Sequence, residues 1–304
     1  MTAIEDIVVQ PPQSATWQVH LDRSMWVAGV RGLMLQALHP LAMLGVWQNS
    51  NFQEDPFGRL RRTADFVGRV TFGSPREADE IGRRVRGIHK ALRVHDPATG
   101  RTHRVDDPEL LLWVHCAEVS SYLEVTTRGG LGLSGRQADR YLREQRKSAT
   151  YVGLHEEDVP GSRAEMDTYF KRVRPSLRVT PEAAATVRFL LWPRLPKELR
   201  PLSAGKPVYF PFGALCYYTL PGWARRMYGA LPEVPRASVT AALAAFRLAA
   251  NSVPEPVHDH AFMPATRDML HASAARLGAL GYDVRKGLKG LTDPRRWPNA
   301  RAAA

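Results

Sequence analysis

The chain has 304 residues, 44% hydrophobic and 24% charged, with a formal net charge of +12 at pH 7. This is the composition of a globular protein large enough for one extensive core. The cations are mostly Arg and scattered, with no basic tail, no zinc-finger spacing and no basic run interleaved with stacking aromatics, so nucleic acid is not the expected partner. The two cysteines, Cys116 and Cys216, lie in no Cys-x-x-Cys, which removes a disulfide framework and a structural zinc site. Residues 1–10 carry Glu5 and Asp6 and lack a basic stretch followed by an apolar one, so the expected compartment is the cytoplasm.

Helix signals recur along the whole chain. Helices are expected at 22–48, 57–70, 75–93, 107–128, 135–152, 162–174, 181–192, 207–218, 222–230, 236–252 and 264–279. Gly32 to Gln53 carries no full charge and is long enough to span a bilayer. It also contains Gln36, His39, Pro40, Gln48 and Asn49, which favours a buried core helix kinked near Pro40 and leaves peripheral membrane contact open. Ser74-Pro75-Arg76-Glu77 combines an N-cap serine, a first-turn proline and a reciprocal glutamate. Asp107-Pro108-Glu109 and Thr180-Pro181-Glu182 repeat the cap-then-proline pattern, and Ser134 with Gln137 forms a second capping box. Ile81, Val85, Ile88 and Leu92, then Leu111, Val114, Val119 and Tyr122, follow helical spacing. Val94 to Val105, with Asp96-Pro97 and Thr99-Gly100, is expected as a loop or small hairpin, and the proline-rich stretch from Pro193 to Pro211 as a break. The fold class is all-α, a single-domain helical bundle: an N-terminal extension over 1–20, the helical domain over 21–280, and a tail over 281–304.

Two motifs are decoys. Gly130-Leu131-Gly132-Leu133-Ser134-Gly135 matches G-x-G-x-x-G, but it follows a long helix rather than a strand and reads as an inter-helix turn. His258-Asp259-His260 has no third ligand at helical spacing and reads as a proline-bounded loop.

The constellation that carries chemistry begins at Asp55-Pro56-Phe57-Gly58-Arg59-Leu60-Arg61-Arg62-Thr63. Arg59, Thr63 and Phe66 fall at i, i+4 and i+7 on one helix face, and His89 sits on the next helix. His115, four residues after Leu111 and four before Val119, also points inward. A neutral imidazole is a good axial ligand for haem iron. An arginine can neutralise a haem propionate, and a threonine hydroxyl can donate or relay a proton. Without Cys-x-x-Cys-His, a haem would be held non-covalently, as b-type.

Several blocks together resemble the DUF2236 family, the catalytic domain of latex-clearing rubber oxygenases and MpaB-type oxygenases. They are Leu35-Gln36-Ala37-Leu38-His39-Pro40, the Asp55 to Thr63 block, Phe72-Gly73, Ile88-His89, Asp107 to His115, Leu154 to Pro160 and Tyr169-Phe170. The resemblance spans roughly 20–255. It implies a globin-like helical core, a b-type haem and dioxygen chemistry on an isoprenoid-like substrate. The family's Arg-x-x-x-Thr pair corresponds to Arg59 and Thr63, and its haem-ligating histidine to His89, with His115 as the alternative. Apolar residues of Gly32 to Val46, with Phe66, would line a substrate channel. In the rubber-cleaving branch a lysine precedes the threonine; here that position is Arg62, which does not give up its proton to become a ligand. Met43 to Asn49 offers no carboxylate, with Glu54 and Asp55 the nearest, which points away from polyisoprene and toward a smaller lipophilic molecule. The competing expectation is a haem or lipid binder without turnover.

Overall fold

The structure is a computed structural model describing residues 7–52, 54–193, 206–253 and 264–278. It is all-helical apart from one small hairpin, as expected. The elements are α1 (Ala15–Leu21), α2 (Met25–Gln36), α3 (Pro40–Asn49), α4 (Pro56–Phe72), α5 (Pro75–Ala91), β1 (Arg93–Asp96), β2 (Arg101–Arg104), α6 (Pro108–Arg128), α7 (Gly135–Thr150), α8 (Arg163–Val173), α9 (Pro181–Leu191), α10 (Lys206–Tyr218), α11 (Gly222–Tyr228), α12 (Arg236–Ser252) and α13 (Pro264–Gly278). The His258-Asp259-His260 loop, most of the Pro193–Pro211 stretch and the tail over 281–304 lie outside the described residues.

The centre is the pairing of α2 with α6. A Cβ on Gly32 would stand 3.7 Å from Glu118 Cα and from Ser121, so the two backbones run close together there. The seam is tied laterally. Trp113 Nε1 donates to Gln36 O at 2.9 Å, Gln36 Nε2 donates to Val114 O at 3.3 Å, and buried Arg31 donates to Thr219 O and to Ser121 Oγ. Around it Val27, Ala28, Met34, Leu35, Trp113, Cys116, Val125 and Tyr141 form one buried cluster with side chains of α7, α9, α10 and α12. Burial of this order, at about 25 cal/mol per Å² of apolar surface, is the main stabilising term.

The stretch expected as one kinked helix over 22–48 is two helices meeting at 107°. Pro40 holds the residue before it out of the helical region, and His39 sits at φ −86°, ψ 115° as the N-cap of α3. Among the described residues no single helix is long and apolar enough to cross a membrane, and this bent pair alone passes on length and composition.

The capping signals are used as read. Ser74 with Glu77 and Ser134 with Gln137 form reciprocal boxes, and Asp107 and Thr180 cap α6 and α9. The glycine motif is the α6–α7 turn, where Gly130 takes φ +105°. Val94 to Val105 contains an antiparallel hairpin in which Arg93 faces Arg104 and Asp96 faces Arg101. The seven-residue α1 is an addition to the expected helices, too short to show a period of its own. Residues 8–19 include buried Val8, Val9, Trp17 and Val19, so this segment packs into the body of the fold.

A buried ion pair closes the α1–α2 junction. Asp22 accepts from Ser24 N and Oγ and from Arg247 Nε of α12 at 2.6 Å. Removing one partner of such a pair leaves the other charge uncompensated. Asp22→Ala should lower unfolding free energy by about 3 kcal/mol, read as an earlier urea midpoint with an unchanged slope.

Candidate functional site

Helix α4 starts at Asp55, whose carboxylate accepts from Gly58 N at 2.8 Å. Asp55, four residues before Arg59, is therefore used as an N-cap, and it also faces exposed Arg62 at 3.5 Å. Arg59, in the first turn, is half-buried and donates from Nη1 to Ser50 Oγ, the C-cap of α3, at 2.6 Å. Burial, and then the neighbouring Arg62, lower its pKa from the usual arginine value. Thr63, one turn on, is exposed. Phe66 packs with Ile81 against the buried cluster of Val9, Val70, Ala78 and Tyr151, so its ring is spent on joining α4 to α5 and α7.

The same cluster joins α4 to α5 across Gly73: Phe66 and Val70 come from α4, Ala78 and Ile81 from α5. Arg59 of α4 and the strand that follows α5 are both tied to the C-terminal end of α3. Gln48 exchanges hydrogen bonds with His95, Asn49 Nδ2 donates to Arg93 O at 3.0 Å, and Ser50 receives Arg59. His89 is half-buried, its Nδ1 is fully buried without a hydrogen-bond partner among the described residues, and burial lowers its pKa against the opposing effect of Asp106. It is a neutral imidazole at physiological pH.

His115 stands on α6, outside the α4–α5 hairpin. It is 8% exposed, its Nε2 has no partner among the described residues, and burial pulls its pKa down to about 4. The structure thus half-buries Arg59 on α4 and His89 on α5, leaves Thr63 open, commits Phe66 to packing and sets His115 on a different element.

Three further polar side chains near α6 are not evident as a group in the sequence. Glu118 accepts a short hydrogen bond from Tyr122 Oη, and burial raises its pKa from the usual glutamate value. His20 of α1 meets Tyr122 edge-on at 5.4 Å and is hydrogen-bonded through Nδ1 to Thr71 Oγ1 at 2.8 Å and through Nε2 to Tyr141 Oη at 3.3 Å. Burial lowers its pKa to about 3. The available signal was a carboxylate inside the run Cys116-Ala117-Glu118-Val119, on a helix buried along most of its length.

Among the described residues no three His, Cys, Asp or Glu side chains converge as metal ligands. A haem asks less of the protein: one axial nitrogen on a neutral ring and cations for its propionates. A neutral imidazole whose buried nitrogen has no partner among the described residues, and a partly desolvated arginine on the preceding helix, fit that requirement.

Residues 17–253 match the model of the ER-bound oxygenase mpaB/B'/rubber oxygenase catalytic domain, and the chain belongs to that family; it is an oxygenase. Its fold is similar to a solved structure titled "Structure of Latex Clearing Protein LCP in the closed state", with a TM-score of 0.53, 20% identity, and coverage of 83% of this chain and 74% of that one. No curated protein matches the chain.

The two deeply buried histidines set an acid limit on stability. In the fold both stay neutral down to about pH 3 for His20 and about pH 4 for His115. In the unfolded chain each takes up its proton near pH 6.5. Below that pH the unfolded state binds more protons, so stability falls as pH falls, by up to about 1.4 kcal/mol per pH unit per histidine. Urea unfolding at pH 7 and pH 5 should show this loss, and His115→Gln should reduce its slope by about one proton.

Proposed function

We propose that the chain is a haem b-dependent oxygenase that uses dioxygen to oxidise a lipophilic small molecule. The observation that carries this reading is a half-buried His89 that burial keeps neutral and whose buried Nδ1 has no partner among the described residues, with the partly desolvated Arg59 held by Ser50 at the end of α3. His89 is the residue that would hold the iron, and Arg59 the cation that would face the haem's charged groups. When bound, haem supplies the redox chemistry with dioxygen. The chain's own residues do the rest. Arg59 is oriented by Ser50 and cannot rotate freely into solvent. Exposed Thr63 offers a hydroxyl one turn away on the same face. Arg62 is turned outward to Asp55, so the Arg59 face holds one cation rather than two. Apolar side chains of α2 and α3 keep water from the interior.

The family membership supports the oxygenase; the neutral imidazole of His89 and the partly desolvated cation of Arg59 support the haem. Titration of purified protein with haem should give a Soret band at a one-to-one ratio. His89→Ala should lose it while His115→Ala keeps it, and Arg59→Leu should bind haem about tenfold more weakly, as for loss of a charge-assisted contact. A full Soret band in His89→Ala with loss in His115→Ala assigns the iron to His115 instead.

A further inference from the structure

Seven cations fall in the 22 residues from Arg83 to Arg104, against the single carboxylate of Asp96, so this stretch carries half of the chain's net charge of +12. Asp96 is buried and accepts from Ala98 N at 3.0 Å and Thr99 Oγ1 at 2.9 Å, so it is spent inside the hairpin. Arg83, Arg84 and Lys90 are exposed on α5, with Gly87 and Ala91 exposed among them and Ile88 48% exposed beside them. On the hairpin Val94 and Asp96 are buried, which turns Arg93 and His95 outward, and Arg104 stands directly opposite Arg93. Arg93 Nη1 donates to Lys90 O at 2.7 Å and to Leu92 O at 2.9 Å, so its guanidinium is held at the C-terminus of α5 and the two basic surfaces join. Among the described residues only Arg104 of the seven has an ion pair, with Asp106.

Like charges on successive helix turns, or directly opposite across a strand pair, repel. An ordinary solvated surface intersperses both signs. The dipole of α5 favours Lys90 and Arg93, but it acts within the last turn and does not account for Arg83 and Arg84. One sign of charge around an exposed aliphatic side chain is the complement of an anionic bilayer. The lipid phosphates meet the cations, and the isoleucine enters the headgroup layer. Nucleic acid offers the same phosphates, but residues 83–104 contain no aromatic side chain to stack on a base.

We propose that the outer face of α5 and the β1–β2 hairpin form a docking surface for an anionic lipid bilayer. The surface stands independently of the haem. On the reading of the chain as an oxygenase of lipophilic molecules, docking brings it to the phase in which such a substrate dissolves, with His89 carried on the docked helix.

The test is co-sedimentation of the full chain, as purified, with phosphatidylcholine vesicles that contain or lack phosphatidylglycerol. Wild type should pellet with the anionic vesicles at low salt, stay in the supernatant with the neutral ones, and be released as added salt shortens the Debye length. Neutralising one cation at the surface should weaken binding about fivefold, so Arg83→Gln, Arg84→Gln and Lys90→Gln combined should lose about a hundredfold. Arg136→Gln, Lys171→Gln and Arg226→Gln combined remove the same charge from exposed positions on α7, α8 and α11 and should leave binding within about twofold. Ile88→Ser should weaken vesicle binding severalfold without changing its salt dependence. The salt titration of wild type reads the electrostatic contribution with no substitution, so the test survives if a variant fails to fold. Pelleting that is equal with both vesicles, absent with both, or lost equally in the two triple variants overturns the proposal. Unchanged binding in Ile88→Ser does so too, as does tighter binding of duplex DNA than of anionic vesicles at the same salt, which assigns the surface to nucleic acid. A wild type that gives no Soret band on titration with haem overturns the haem reading and leaves this one standing.

Discussion

The close approach of α2 to α6 at Gly32 positions the polar groups along α6. It brings Gln36 under Trp113 and Val114, and it places Arg31 where its guanidinium reaches Ser121 and Thr219 O. An arginine in that position is costly to desolvate, and burial lowers its pKa to about 10. The cost is offset because its hydrogen bonds end on α6 and on the end of α10, which makes it a joint between three helices. With the seam in place, Glu118 is carried into the interior opposite Gly32, and Tyr122 is turned toward His20 and Tyr141.

The α4–α5 hairpin is a second body attached to this core. Its inner cluster of Phe66, Val70, Ala78 and Ile81 reaches Val9 and Tyr151, and its far end is moored through α3 and the β-hairpin by side chain to backbone bonds. Such bonds exchange readily with water and contribute less than buried packing. The residues proposed for the site, Arg59 and His89, lie toward that end, held by such bonds, an arrangement common for sites that admit a ligand.

The sequence blocks that identify the family divide by physical role. Leu35 to Pro40 and Asp107 to His115 meet each other in the seam, with Gln36 bonded to Trp113 and Val114, His39 capping α3 and Leu38 O accepting from Arg178 N at 2.9 Å. They build the scaffold. The Asp55 to Thr63 block and His89 lie on the hairpin and carry the chemistry proposed for it. Asp55 is bound to Gly58 N as a cap and Asp65 is paired with Arg69, while the interior carboxyl, Glu118, comes from α6.

Much of the fold was readable in the chain because it is written locally. Caps, first-turn prolines and a 3.6-residue period depend on neighbours a few positions away, so Ser74, Asp107, Ser134 and Thr180 mark their helices without tertiary help. The Arg59–Thr63 spacing was local for the same reason. Tertiary structure decided what depends on residues far apart. It turned the 22–48 segment through 107°, spent Phe66 on packing, exposed Thr63, half-buried Arg59 and His89, and gathered His20, Glu118 and Tyr122 from two helices. Burial made these outcomes, and burial is a property of what packs against a side chain, which no local pattern in the sequence contains.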